Sequence, residues 1–190
     1  MWQTVPGQTI TEPITLDFVK KRINLTATAD DGRLTGLITA AREFAERITN
    51  RCLAPRQLID YRDGLPYPGR ELLIPLPPLV SLDLVEVLED DYVTWTPWDS
   101  SQYWVALYNQ PAILQPRRGF TYPTTLERIA GCVRITFTAG HATVVNSVLT
   151  PEPLPQSWQE NLADIVTFQY ENVGVRVPPE LVTIPKIHYF

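Results

Sequence analysis

Leu34-Thr35-Gly36-Leu37-Ile38-Thr39-Ala40-Ala41-Arg42-Glu43-Phe44-Ala45-Glu46-Arg47-Ile48 is the stretch whose reading decides the fold class. Its apolar residues, Leu34, Leu37, Ile38, Ala41, Phe44, Ala45 and Ile48, recur at i, i+3, i+4 and i+7. That spacing lines one face of an α-helix. Arg42, Glu43, Glu46 and Arg47 fall mostly on the opposite, wet side, and Glu43 to Arg47 is an i, i+4 pair in the favourable order. Asp30 or Asp31 can cap this helix, which is predicted over about 30–50. Upstream, Thr15 caps a shorter helix near 15–24, with Leu16, Val19 and Ile23 at helical spacing.

Downstream of Cys52 the period falls from that of a helix to that of a strand. Gln57–Tyr61, Glu71–Leu76 and Leu82–Glu89 read as strands, and Asp90-Asp91 as a turn. Val93–Trp95, Tyr103–Tyr108 and Ala112–Leu114 follow. Cys132–Thr138 alternates strictly and is closed by Ala139-Gly140. Residues 141–154 read as a loop, with Pro151 and Pro153. Pro155 can open a last helix to about Val173, with Trp158, Leu162, Ile165 and Val166 on one face. The expected fold is therefore α+β: a small bundle of three main helices with an inserted antiparallel β unit and extended terminal arms. The expected boundaries are 1–13 for an N-terminal arm, 14–55 and 141–174 for the helical core, 56–140 for the β unit, and 175–190 for a C-terminal arm.

Composition narrows the function. The chain has 190 residues, 44% of them apolar, and a net charge of −5. Tight binding of duplex DNA draws on phosphate neutralisation, which this charge does not supply. The start, Met1-Trp2-Gln3-Thr4-Val5-Pro6, has no basic or apolar leader pattern, and no run is long enough to span a membrane. Cys52 and Cys132, far apart and without a CxxC, read as buried thiols of a reducing compartment.

Sequence motifs for chemistry are missing. His141 and His188 stand alone, without the spacing of a zinc site, and read as solvent or interface residues. Neither a nucleophile elbow, a phosphate-binding glycine loop nor a dinucleotide fingerprint occurs. The doublets Asp30-Asp31 and Asp90-Asp91 sit at cap and turn positions, where carboxylates accept backbone hydrogen bonds. The expectation is a protein without catalysis, cofactor or metal. Trp95, Trp98, Tyr103, Trp104 and Tyr108 form the one aromatic concentration. Packing or a subunit interface through Trp95, Trp98, Tyr103 and Trp104 is favoured over a stacking platform for sugars or bases. Arg117-Arg118-Gly119 reads as a solvated loop.

The order helix, helix, β insertion, helix, tail resembles the phage head–tail connector (adaptor) proteins of the gp6-like family, in the longer form with a β insertion. The resemblance rests on Pro13-Ile14-Thr15-Leu16, on residues Leu37 to Thr49, on Ile74-Pro75-Leu76-Pro77-Pro78-Leu79-Val80-Ser81, on Val133 to Gly140, and on Tyr170-Glu171-Asn172. It implies a structural ring of about twelve identical subunits in the virion neck. The ring would extend the DNA channel between a portal protein and a downstream stopper or tail protein, with duplex DNA passing without tight binding. The chain would then be found in host cytoplasm during assembly. Phage, prophage and gene-transfer particle all fit, and a stopper, a tail terminator or a carbohydrate-binding adhesion module are the alternatives. The C-terminal arm carries the boldest expectation. Leu181, Ile184, Lys186, Ile187, His188, Tyr189 and Phe190 are too apolar for a free tail and are expected to dock on the portal or a neighbouring subunit.

Overall fold

The computed structural model of the chain describes residues 2–67, 69–124, 129–145 and 148–183. Thr15 caps α1 (Leu16–Arg22): its side chain accepts a hydrogen bond from the Phe18 amide at 3.1 Å. Helix α2 (Asp31–Thr49) follows and ends on Asn50, whose left-handed backbone stops it. Asp30 stands at its N-cap without a side-chain cap bond, because its carboxylate accepts the Tyr170 hydroxyl at 2.8 Å. Asp31 pairs instead with Lys20 of α1 at 2.6 Å. Helix α3 (Gln156–Glu171) starts directly after Pro155. Val19, Leu34, Ile38, Ala41, Phe44, Leu162, Ile165 and Val166 make the shared helical core. Arg22 and Asp164, 2.7 Å apart, tie α1 to α3.

Between α2 and α3 lies the β structure. Its strands are β2 (Arg56–Arg62), β3 (Leu72–Ile74), β4 (Leu79–Leu88), β5 (Trp95–Pro97), β6 (Tyr103–Ala106), β7 (Ala112–Pro116) and β8 (Val133–Ala139). An antiparallel five-stranded sheet has the order β1-β2-β8-β4-β5, where β1 is Trp2–Thr4. A three-stranded sheet, β3-β7-β6, faces the same core. Strand β8 is central and buries Val133, Ile135 and Phe137 on one face, as its alternation predicts. Leu58, Leu72, Ile74, Leu114 and Trp98 fill the space between the two sheets. This apolar cluster is separate from that of the helices.

Two segments differ from the sequence reading. The loop expected at 141–154 contains a hairpin, β9 (Ala142–Val145) with β10 (Val148–Pro151). Its β-branched residues favour extended backbone more than the flanking prolines oppose it. The N-terminal arm is extended but not free. It adds β1 to the edge of the sheet, and Gln8 then acts as a further rung. The Gln8 side chain accepts the Gln57 amide at 2.7 Å and donates to the Gln57 carbonyl at 2.9 Å.

Gly140 fixes where β8 ends. Its φ is +120°, and a Cβ there would stand 2.5 Å from the Cα of Pro55. Only glycine permits the sheet to pass this close to the α2–β2 link.

Candidate functional site

The joint between helices and sheet is built on Glu46. The helical periodicity places Arg42 and Glu46 on the wet side of α2, yet they are only 4% and 6% exposed. The reason is tertiary: the α2–β2 link folds back over that face. One Glu46 oxygen accepts the amides of Leu53 (2.8 Å) and Ala54 (3.3 Å) and Nη1 of Arg56 (2.8 Å). The other accepts Nη1 of Arg42 at 3.0 Å and Nη2 of Arg56 at 2.9 Å. Glu12 of the N-terminal arm completes the network through Arg42 Nε at 2.9 Å and the Thr39 hydroxyl at 2.9 Å. Nothing in the local sequence signals this cluster, because Glu12, Glu46 and Arg56 meet only after folding. Five hydrogen bonds on the Glu46 carboxylate, with Arg56 Nε left without a partner, suit a clamp between α2, β2 and the arm.

The aromatic set divides. Trp98 (5% exposed) and Tyr103 (7%) pack together at 4.7 Å inside the β unit, with Tyr122 5.6 Å from Trp98. Burial pushes the Tyr103 and Tyr122 hydroxyls above their ordinary pKa. Trp95 is half-buried under the guanidinium of Arg134, which lies 4.5 Å from its ring and grips Glu86 with two hydrogen bonds of 2.6 and 2.8 Å. Trp104 is exposed, 6.3 Å from the exposed Tyr108. The four aromatics named from sequence therefore do not share one surface.

The titratable singletons are structural. Both cysteines are buried thiols, and burial pushes Cys52 up to about 12. His141 packs edge-on against Trp158 at 5.1 Å, close to Arg51, whose guanidinium lies over the same ring. Burial, then the Arg51 charge, lowers its pKa. His188 lies outside the described residues. Asp91 makes the turn between β4 and β5 by accepting the Val93 and Thr94 amides, and Thr94 holds its carboxyl below the usual range. Among the described residues, no three His, Cys, Asp or Glu side chains are grouped as a metal site, and no helix is long and apolar enough to cross a membrane.

Of the C-terminal arm, Leu181 is described and Ile184, Lys186, Ile187, His188, Tyr189 and Phe190 lie outside the described residues. The root of the arm lies on its own helical core. Val177 and Val182 are buried there, Leu181 packs against it, and Asn161 of α3 donates to the Leu181 carbonyl at 2.6 Å.

On the β unit, two hollows share the 119–122 segment. One, of about 670 Å³, is bordered by Glu89, Asp90 and Asp99, has Trp98 and Tyr122 beneath it, and carries the exposed Phe120 on its wall. Asp99 is held below the usual carboxylate range by the Ser101 amide. The other, of about 340 Å³, is bordered by Arg70, Arg117 and Arg118.

Residues 13–85 match the family described as phage gp6-like head–tail connector protein. No curated protein matches the chain. Among solved structures, the fold is similar to a chain in the neck of an empty GTA particle computed with C6 symmetry. The TM-score is 0.77 at 15% identity, over 100% of this chain and 97% of that one. A chain in the virion of a native gene transfer agent (GTA) particle gives 0.74 at 17% identity, again over 100% and 97%. One in the neck of a native GTA particle computed with C12 symmetry gives 0.66 at 19% identity, with the same coverage. The chain thus resembles the gp6-like head–tail connectors in sequence over residues 13–85, and across its whole length it has the fold of a chain found in gene transfer agent particles.

Proposed function

We propose that this chain is a structural ring subunit of the neck of a phage-like particle. In that role it connects the portal vertex to the next neck or tail protein and continues the DNA channel. The observation that carries the reading is a coincidence of two independent likenesses. The head–tail connector match, residues 13–85, takes in α1, α2, β2, β3 and most of β4, and the likeness to chains of neck and virion particles spans all 190 residues. The net charge of −5 fits a channel wall along which duplex DNA slides, since like charges repel phosphates. The exposed apolar residues of the β unit and hairpin, among them Trp104, Tyr108 and Val144, suit a protein with several neighbours. The C-terminal arm completes the proposal: its root is held by the subunit and its tip, 184–190, reaches a portal protein. The test is to purify the chain, add portal rings, and determine mass by native mass spectrometry and shape by electron microscopy. A closed ring of this chain coaxial with the portal is the expected result. A chain that stays monomeric in the presence of portal, or that binds its wall, overturns the reading.

A further inference from the structure

At one edge of the five-stranded sheet, β4 turns into β5 through Glu89-Asp90-Asp91-Tyr92-Val93-Thr94. Asp91 holds this turn, and the Tyr92 amide donates to the Glu89 carbonyl at 3.0 Å. Tyr92 sits at φ +59°, a left-handed conformation that glycine or asparagine takes with less strain. The turn itself therefore does not call for a tyrosine. Tyr92 and Val93 stand 62% and 77% exposed at its tip. Beside them, the exposed carboxylates of Glu89 and Asp90 make no ion pair among the described residues. At the opposite edge, a cleft of about 370 Å³ is lined by residues of β1 and α2. Trp2, Ile10 and Leu76 give it apolar walls, and the exposed Arg47 and Asn50 stand on its α2 side. The buried Arg42, Glu46 and Arg56 behind it are engaged with one another, and Glu43 lies 3.5 Å from Arg42. Arg47 lies 5.6 Å from the Phe44 ring and has no acidic partner among the described residues. The order β1-β2-β8-β4-β5 sets the two edges four inter-strand spacings apart, about 19 Å, and facing opposite ways. A two-fold contact would need cleft and tip within one patch, whereas a head-to-tail contact needs them on two sides.

We propose that the β4–β5 tip of one copy enters the β1-side cleft of the next copy, as a joint between neighbouring subunits. This rests on the ring reading above. Tyr92 and Val93 fill the cleft against Trp2, Ile10 and Leu76, and Glu89 and Asp90 meet the Arg47 guanidinium. Repeated from copy to copy, the contact runs head to tail and closes into a ring when the rotation per copy divides the circle.

The test uses the full chain, with and without portal rings, and reads assembly by native mass spectrometry and electron microscopy. Tyr92→Gly removes the aromatic ring yet suits the left-handed backbone. It is expected to keep or raise the melting temperature and to need at least ten times the wild-type concentration to assemble. A turn with no docking role would leave assembly unchanged. R47E and E89K/D90K are each expected to assemble as poorly, because each alone sets like charges together at every joint. Their equimolar mixture pairs opposite charges throughout an alternating, even-numbered ring and is expected to recover assembly. Circular dichroism melting checks that each variant folds. Should a reversal fail to fold, R47Q or E89Q/D90Q takes its place, with weaker assembly than wild type as the expected result. Tyr92→Gly that assembles as readily as wild type, or folded reversals whose mixture does not recover, overturns the joint and leaves the ring reading standing. A wild-type chain that never forms a ring, with or without portal, removes the ring reading and the joint together.

Discussion

At the residue scale, Glu46 shows how a charged side chain becomes part of a core. Five hydrogen bonds converge on its two oxygens, from two arginines and two backbone amides. Removing the carboxylate takes from the buried Arg56 the partner of its ion pair and leaves Arg42 to Glu12 and Glu43. Glu46→Ala is expected to cost about 3–5 kcal/mol, the scale of a broken buried ion pair. Urea denaturation of the full chain measures it, and a loss under about 1 kcal/mol would show the network to be dispensable. His141 carries the pH dependence. Burial holds its pKa below the ordinary 6.5, so protonation favours the unfolded chain. Stability is full above pH 6.5, falls as the pH drops below that value, and levels off once the folded-state pKa is passed. The urea midpoint is expected to fall between about pH 7.5 and 5.5, and His141→Gln to flatten that fall. Equal slopes for the two proteins would remove His141 as the cause.

At the element scale, the local rules held where the partner of a side chain is near in sequence. Thr15 caps α1, the α2 stripe packs inward, and β8 alternates as read. They failed where a distant partner intervened. Asp30 leaves its cap role for Tyr170, 140 residues away. The edge strand β1 has only three residues, and the Gln8 side chain extends its pairing beyond them. Gln8→Ala is expected to destabilise the chain by about 1–2 kcal/mol, two modest hydrogen bonds. Its sharper signature is faster hydrogen exchange at the Gln57 amide, with the β8 amides unchanged. If Gln57 stays as protected as in wild type, the rung is not formed by Gln8.

At the scale of the whole molecule, two apolar clusters are joined by the Glu46 network, and both terminal arms are fastened to them at their roots. This division guides the truncation that tests the C-terminal arm. Deleting from residue 178 would strip Val182 from the helical core and confuse folding with docking. Deleting 184–190 leaves Val182 and the Leu181 carbonyl in place. The shortened chain is expected to keep its urea midpoint and to lose binding to portal rings. Undiminished binding would show that the arm's tip is not the docking element.

The amino-acid sequence alone determined the helices, the change of period at Cys52, the central β8 strand and the resemblance to head–tail connectors. The helices, the change of period and the strand are written in spacings of a few residues that follow from backbone geometry, whereas the resemblance rests on the ordered set of segments quoted for it. Tertiary structure alone decided that Arg42 and Glu46 are interior, that Trp98 and Tyr103 belong to the core while Trp104 faces outward, and that Ala142–Val145 and Val148–Pro151 pair as antiparallel strands. It also decided that Glu89 and Asp90 border one hollow and Arg70 and Arg118 another. These outcomes depend on which distant segments cover a side chain or leave it bare. Periodicity reports the face a residue occupies on its own element, not what the rest of the chain lays over that face.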